Sequence, residues 1–151
     1  MPQSLSAVYI HAVFSTKKRW RFLCEPTLRK EMHAYLGGIS NHLNCPAIIV
    51  GGTEDHAHLL VRLHRSITQA DWIKEIKRVS SQWIKQREPH QHHFAWQSGY
   101  AAFSVSSSNL MVVRQYIAAQ QDHHRKSTFQ DELRKLMKNH GLEWDERYVW
   151  D

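Results

Sequence analysis

His56 and His58 lie two residues apart in the stretch Glu54-Asp55-His56-Ala57-His58-Leu59-Leu60-Val61-Arg62-Leu63. Ala57, Leu59, Val61 and Leu63 alternate there with His56, His58, Leu60 and Arg62, which is the period of a strand with one face in a core. Both imidazoles then point to the other side of a sheet, a usable pair of metal ligands on a rigid element. Spacing alone is weak: with 12 histidines in 151 residues, chance yields about one pair at i and i+2. His90 and His92 form another such pair in a polar loop, so the strand context is what distinguishes His56 and His58. Further on, Tyr116 and Gln120 stand one helical turn apart and share a side. A phenol is a competent nucleophile for phosphoryl transfer once its anion is stabilised. An amide oxygen four residues on can join two imidazoles as an oxygen ligand for a divalent ion. Singly, a tyrosine near Val112, Val113 and Ile117 reads as a core residue, and Gln120 reads as a surface residue. Their conjunction with the histidine pair carries the weight.

The elements that must position these groups are legible from periodicity. Residues 6–16 alternate Val8, Ile10, Ala12 and Phe14 against Tyr9, His11 and Val13, a strand covered on both sides. Lys17-Lys18-Arg19-Trp20-Arg21 is a basic patch with one aromatic ring. Pro26 suits a first helical turn, and Leu28, Met32, Leu36, Ile39 and Leu43 mark an amphipathic helix to about Asn44, weakened by Gly37-Gly38. Ala47–Val50, ended by Gly51-Gly52, pairs with the histidine strand as an antiparallel hairpin. Thr68 caps the next helix, in which Trp72, Ile76, Val79 and Trp83 face the core and Lys74, Arg78, Ser81 and Lys85 the opposite side. That basic row suits a solvated face as well as a phosphate-binding one. Residues 88–93 form a polar loop, and Tyr100–Ser106 alternates as a fourth strand. A helix capped by Ser107 or Ser108 runs to about His124, and a last one from Ser127 or Thr128 to His140 ends at Gly141.

This order is the split βαββαβ arrangement of an α+β fold, an antiparallel four-stranded sheet with two helices on one face. Strands one and three, by chain order, lie side by side in the centre. His56 and His58 look to the other face, which only the C-terminal helices can cover.

Composition narrows the partners. The length of 151 residues suits one domain, 1–151, and 42% apolar content is enough for its core. A formal charge of +6 points to a polyanion, most often nucleic acid, although mildly basic chains are common. Cys24 and Cys45 lack CxxC spacing and read as free thiols of a reducing cytoplasm, their pairing left open. No apolar run has the length of a membrane span, and Met1-Pro2-Gln3-Ser4 opens no export signal. The expected location is cytoplasmic.

The chain resembles the single-tyrosine HUH transposases of the insertion sequence 200/605 type, with kinship to the REP-associated tyrosine transposases. The likeness rests on Tyr9-Ile10-His11-Ala12-Val13-Phe14-Ser15-Thr16-Lys17, Asp55-His56-Ala57-His58-Leu59-Leu60-Val61, Trp96-Gln97-Ser98-Gly99-Tyr100 and Tyr116-Ile117-Ala118-Ala119-Gln120 with His123-His124. Thr128-Phe129-Gln130-Asp131-Glu132-Leu133 and Tyr148-Val149-Trp150-Asp151 extend it across essentially the whole chain.

The resemblance implies a ferredoxin-like fold, Mg²⁺ or Mn²⁺ on His56, His58 and Gln120, and Tyr116 as nucleophile. It implies attack on a scissile phosphate of single-stranded DNA with hairpin ends, giving a 5′-phosphotyrosine and a free 3′-hydroxyl, then strand transfer without a nucleotide cofactor. A homodimer is implied, with the tyrosine helix able to serve the partner's histidine pair. Lys17, Lys18, Arg19, Lys74, Arg78 and Lys85 are candidate phosphate contacts and Trp20 a stacking surface. Roles for Asp55, His123 and His124 around the site are open. The alternative on the same fold is a non-catalytic single-strand DNA- or RNA-binding module, but the stretches 8–14 and 56–63 lack its stacking aromatics. A replication-type tyrosine nuclease would carry a third histidine and a longer chain, and a structural zinc protein more clustered ligands.

Overall fold

The computed structural model describes residues 2–151. Four strands, β1 (Val8–Ser15), β2 (Ala47–Gly52), β3 (His56–Leu63) and β4 (Ala101–Val105), form one antiparallel sheet in the order β2-β3-β1-β4. The expected central pair, β1 and β3, is adjacent, with Ser15 opposite His56 and Val13 opposite His58. Two long helices, α1 (Pro26–His42) and α2 (Gln69–Arg87), cover one face. Their interior holds Ile10, Ala12 and Phe14 from β1 with Leu59 and Val61 from β3.

Local chemistry starts these helices where the spacing predicts. The Glu25 carboxylate accepts from the amides of Thr27 and Leu28, ahead of Pro26 in the first turn, and the Thr68 hydroxyl accepts from the Asp71 amide. Gly37 and Gly38 do not interrupt α1. In α2 the buried face is Trp72, Ile73, Ile76, Ser80 and Ile84. Val79 and Trp83, expected in the core, are only half-buried at its margin, where the Trp83 ring stacks on Tyr35.

The second face carries the C-terminal third. A 3₁₀ turn at Ser107–Asn109 leads into α3 (Leu110–Ala118), then α4 (Gln120–His123) and α5 (Phe129–Asn139). The helix expected to run unbroken to about His124 is interrupted at Ala119, and neither Ser107 nor Ser108 caps it, since its start lacks a side-chain cap. The Thr128 hydroxyl does cap α5 by accepting from the Asp131 amide. Val13 and Phe103 from the sheet pack with Phe129, Leu133 and Met137 of α5, and Trp144, Val149 and Trp150 close the edge. No helix among the described residues is long and apolar enough to cross a membrane.

Gly51 sets how closely α3 approaches. A Cβ there would meet the Ile117 carbonyl oxygen at 2.7 Å and its side chain at 2.8 Å. The glycine therefore lets the helix bearing Tyr116 lie directly on β2.

Candidate active site

β3 presents His56 and His58 on the face that α3, α4 and α5 cover, and both are fully buried. The sequence leaves this face to the C-terminal helices, and they seal it. His56 gives its Nδ1–H to Asp55 Oδ1 at 2.7 Å, and the Thr53 hydroxyl donates to the same carboxylate oxygen at 3.1 Å. The carboxylate thereby fixes the orientation of the His56 ring and turns Nε2 toward the C-terminal helices. Asp55, left open in the sequence reading, thus holds a histidine of the pair in position.

Gln120 faces that nitrogen, its Oε1 3.0 Å from His56 Nε2. Its amide is oriented by the other end, because Nε2 donates to Glu132 Oε2 at 2.8 Å. Breaking the helix at Ala119 does not separate Gln120 from Tyr116. The Tyr116 hydroxyl also donates to Glu132 Oε2, and the Tyr116 ring lies 5.9 Å from that of His58. All of these contacts are within one chain.

Glu132, the residue that the spacing argument missed, is the hub. Its Oε1 lies 3.1 Å from His58 Nε2, 3.1 Å from His124 Nε2 and 3.5 Å from His56 Nε2. On the far side of His58, Nδ1 lies 2.8 Å from His11 Nε2, and the two rings are stacked. The available signal was modest: a glutamate on the apolar side of α5, one residue before the core Leu133, is only 8% exposed, and charges are seldom buried unless paired.

The electrostatics agree with this wiring. Burial draws the His58 imidazole down to about 4 and that of His11 to about 3. Both rings are therefore neutral near pH 7, His11 donating to His58 and His58 to Glu132. Burial works against ionising Glu132, but hydrogen bonds from His124, His58 and Tyr116 hold its carboxyl far below the ordinary range. Burial, reinforced by the Glu132 anion, pushes the Tyr116 phenol well above its usual 10. Burial opposes charge on His124, yet the Glu132 contact lifts its pKa above 6.5.

This donor set fits a divalent cation. Gln120 Oε1 and Glu132 Oε1 lie 3.0 and 3.5 Å from His56 Nε2, one nitrogen and two oxygens gathered as a shared cation requires. Ligand atoms of His56, His58 and Glu132 all lie within 4.8 Å of one another. Two imidazoles alone favour zinc-like ions, whereas adding a carboxylate and an amide oxygen moves the set toward harder ones such as Mn²⁺ or Mg²⁺.

The basic candidates lie elsewhere. Lys17, Lys18 and Arg19 form a 3₁₀ turn after β1 with positive φ at Lys18 and Arg19. Lys18 sits over the half-exposed Trp20 ring and Arg19 over Trp150. Lys74, Arg78 and Lys85 line a groove of about 440 Å³ between α2 and residues 94–100, together with Lys77 and Tyr100. Arg78 is already paired with Glu75 at 2.7 Å. Lys77 donates to the carbonyls of Gln97 at 2.8 Å and Gly99 at 2.6 Å. Lys77 is thus a tether, and burial lowers its pKa to about 8.

Comparison with known proteins sets this geometry in a family. No curated protein matches the chain. Among solved structures, the crystal structure of a candidate transposase from Deinococcus radiodurans is similar with a TM-score of 0.64 and 22% identity, over 80% of this chain and 95% of that one. A REP-associated tyrosine transposase bound to a REP hairpin is similar with a TM-score of 0.60 and 11% identity, over 82% of this chain and 72% of that one. At such identities the likeness is one of fold. Residues 4–120 match the family described as transposase IS200-like, a span that takes in the histidine strand, Tyr116 and Gln120 and stops short of Glu132. The chain belongs to the IS200-like transposases.

Proposed function

We propose that this protein cleaves and rejoins single-stranded DNA as one catalytic domain, with Tyr116 attacking the scissile phosphate. The phenol oxygen forms the new bond to phosphorus, the strand leaves as a free 3′-hydroxyl, and a 5′-phosphotyrosine results. Because that linkage is itself a phosphodiester, a 3′-hydroxyl can reverse the step and join DNA without a nucleotide cofactor. One observation carries the reading: the Tyr116 hydroxyl, the Gln120 amide and the His58 imidazole all meet on a single carboxylate, Glu132.

His56, His58, Gln120 and Glu132 would hold the divalent cation, Mg²⁺ or Mn²⁺. When bound, the ion supplies Lewis-acid polarisation of a phosphate oxygen and offsets charge beside the phenol. Asp55 and His11 orient the two imidazoles. The Glu132 carboxylate holds the Tyr116 proton at its hydroxyl until substrate displaces that contact, so the resting phenol stays neutral.

Single-stranded DNA with hairpin ends is the proposed substrate. Lys74, Arg78 and Lys85 on the α2 groove and Lys17, Lys18 and Arg19 of the turn after β1 are the proposed backbone contacts, with Trp20 the stacking surface; the Lys17 amide donates to the Ala95 carbonyl at 2.8 Å, linking turn and groove. A homodimer stands as a proposal too, with the single-chain convergence supporting a tyrosine that acts on its own chain's site. The sheet face that a non-catalytic binding module would offer to bases is sealed by α3–α5, which weighs against that alternative. The test is incubation of the protein with a pool of single-stranded hairpin oligonucleotides and Mn²⁺, resolved on a denaturing gel. A covalent adduct is expected from the native chain and none from Tyr116→Phe; an adduct from the variant would remove Tyr116 from its role.

A further inference from the structure

Beside Tyr116 the molecule holds a cavity of about 430 Å³, lined in part by the site residues His11, Tyr116, His124 and Glu132. It lies between β4 and α3 on one side and α5 on the other, with Tyr116 and Glu132 at its inner end. Phe103 is only 3% exposed and lies beneath the His140 ring at 4.4 Å between centroids, so the ring that faces the cavity is that of the exposed His140. His140 is held by Nδ1–H donation to the Leu136 carbonyl at 2.9 Å, which leaves Nε2 as an acceptor. Val112 adds an apolar side chain that is 61% exposed, and Asn139 and Lys135 complete the outer lining.

Each feature suits part of a nucleotide. A base is a flat body with a polar edge, matched by the exposed His140 ring, its Nε2 and the Asn139 amide. Its phosphate is an anion, matched by the exposed Lys135 ammonium. The volume lies at the low end of the roughly 300–1,000 Å³ typical of small-ligand sites, enough for one nucleotide and too small for a stacked duplex.

We propose that this cavity seats one unpaired nucleobase flanking the scissile phosphate, with Lys135 on the adjoining phosphate. The protein then selects its cleavage step through its own contacts as well as through any hairpin. This rests on Tyr116 acting on DNA, but base binding is measurable without cleavage. Val112→Trp fills the cavity from an exposed position, so the fold is spared.

The test has two arms. In the first, amide and aromatic NMR resonances are followed while each of the four deoxynucleoside 5′-monophosphates is added to native protein and to Val112→Trp. Shifts at Phe103, Tyr116 and His140 are expected, with affinity falling about tenfold or more in the variant. In the second, adducts formed from a strand randomised around the cleavage step are sequenced. A base preference at one position next to the tyrosine-linked phosphate is expected, flattened by Val112→Trp and by Asn139→Ala. Nucleotide binding with no adduct from any strand would sink the catalytic reading and leave the pocket standing. Adducts without nucleotide-induced shifts, and with a base preference that Val112→Trp leaves intact, would overturn the pocket and leave the catalytic reading standing.

Discussion

Glu132 Oε1 lies 3.1 Å from His58 Nε2 although 74 positions separate the two residues. The contact joins the C-terminal helix α5, outside the segment that matches the family, to the histidine strand inside it. With the Tyr116 hydroxyl on its other oxygen, it makes Glu132 a candidate ligand and a brake on the proposed nucleophile at once. Glu132→Gln keeps the shape of the side chain and removes its charge. Mn²⁺ affinity, measured by calorimetry, should fall about 100-fold or more, with adduct formation falling alongside. Unchanged affinity and full adduct yield would reduce Glu132 to a structural role.

His11 touches no proposed substrate atom but fixes the ring of His58 through a 2.8 Å hydrogen bond. Outer partners of metal-binding histidines typically contribute 10–100-fold in metal affinity. His11→Phe retains a ring of similar size and loses the bond, so a drop of about tenfold in Mn²⁺ affinity is expected with the melting temperature little changed. An unaltered affinity would show that the His58 orientation does not depend on His11.

Buried neutral imidazoles make stability fall on acidification earlier than carboxylates alone would. His33 and His58 lie at about 4 and His11 at about 3 in the folded chain, against 6.5 for a free imidazole, chiefly through burial. Below 6.5 the unfolded chain takes up protons that the folded one refuses, so stability drops as pH falls through that window. Glu132 adds to the loss at lower pH, since its folded carboxyl is depressed below 4.5. His124 runs the other way: its raised pKa contributes stability at low pH that is lost as pH rises through the folded value. The net expectation is a loss on the order of a few kcal/mol between pH 6.5 and 4. Urea midpoints across that range measure it, and His11→Phe should flatten the slope. A constant midpoint down to pH 4.5 would contradict it.

Convergence within one chain bears on how the site is assembled. Mixing Tyr116→Phe with His56→Ala protein should leave adduct formation absent, because each chain carries one defective half. Recovery of adduct in the mixture would mean that the tyrosine crosses between subunits.

On the α2 groove Lys74 and Lys85 are proposed DNA contacts, whereas Lys77 is a structural tether. Lys74→Ala and Lys85→Ala should weaken binding of a hairpin oligonucleotide and each reduce the slope of log affinity against log salt by about 1. Lys77→Met should act on stability, because Lys77 spans the carbonyls of Gln97 and Gly99. An unaltered salt slope in both alanine variants would move the DNA path off this groove.

Much of the architecture was written in local patterns. The period of two in 6–16 and in the histidine strand, the cap at Thr68, the start near Ser127 or Thr128 and the apolar rows of α1 and α5 each report on a few neighbouring residues, so β1, β3 and the starts of α1, α2 and α5 were readable, whereas the cap expected for α3 at Ser107 or Ser108 was not found. The order of elements then restricted the sheet to β1 and β3 in the centre. The break at Ala119 was not readable, because nothing in its sequence weakens a helix; packing on β2 at Gly51 and the pull of Gln120 toward His56 operate across the fold. The Val79 and Trp83 positions failed for a related reason, since the row that faces the core was set by how α2 rolls against α1.

By itself the sequence determined the chemical inventory: two imidazoles on one strand face, a phenol and an amide four residues apart, and a basic chain able to meet a polyanion. Tertiary structure alone decided that Glu132 sits among them, that the histidine face is sealed, and that a nucleotide-sized cavity opens beside Tyr116. The physical reason is range. Periodicity records which way each side chain leaves its own strand or helix, whereas hydrogen bonds and burial form between whichever surfaces the packed elements bring within about 3 Å.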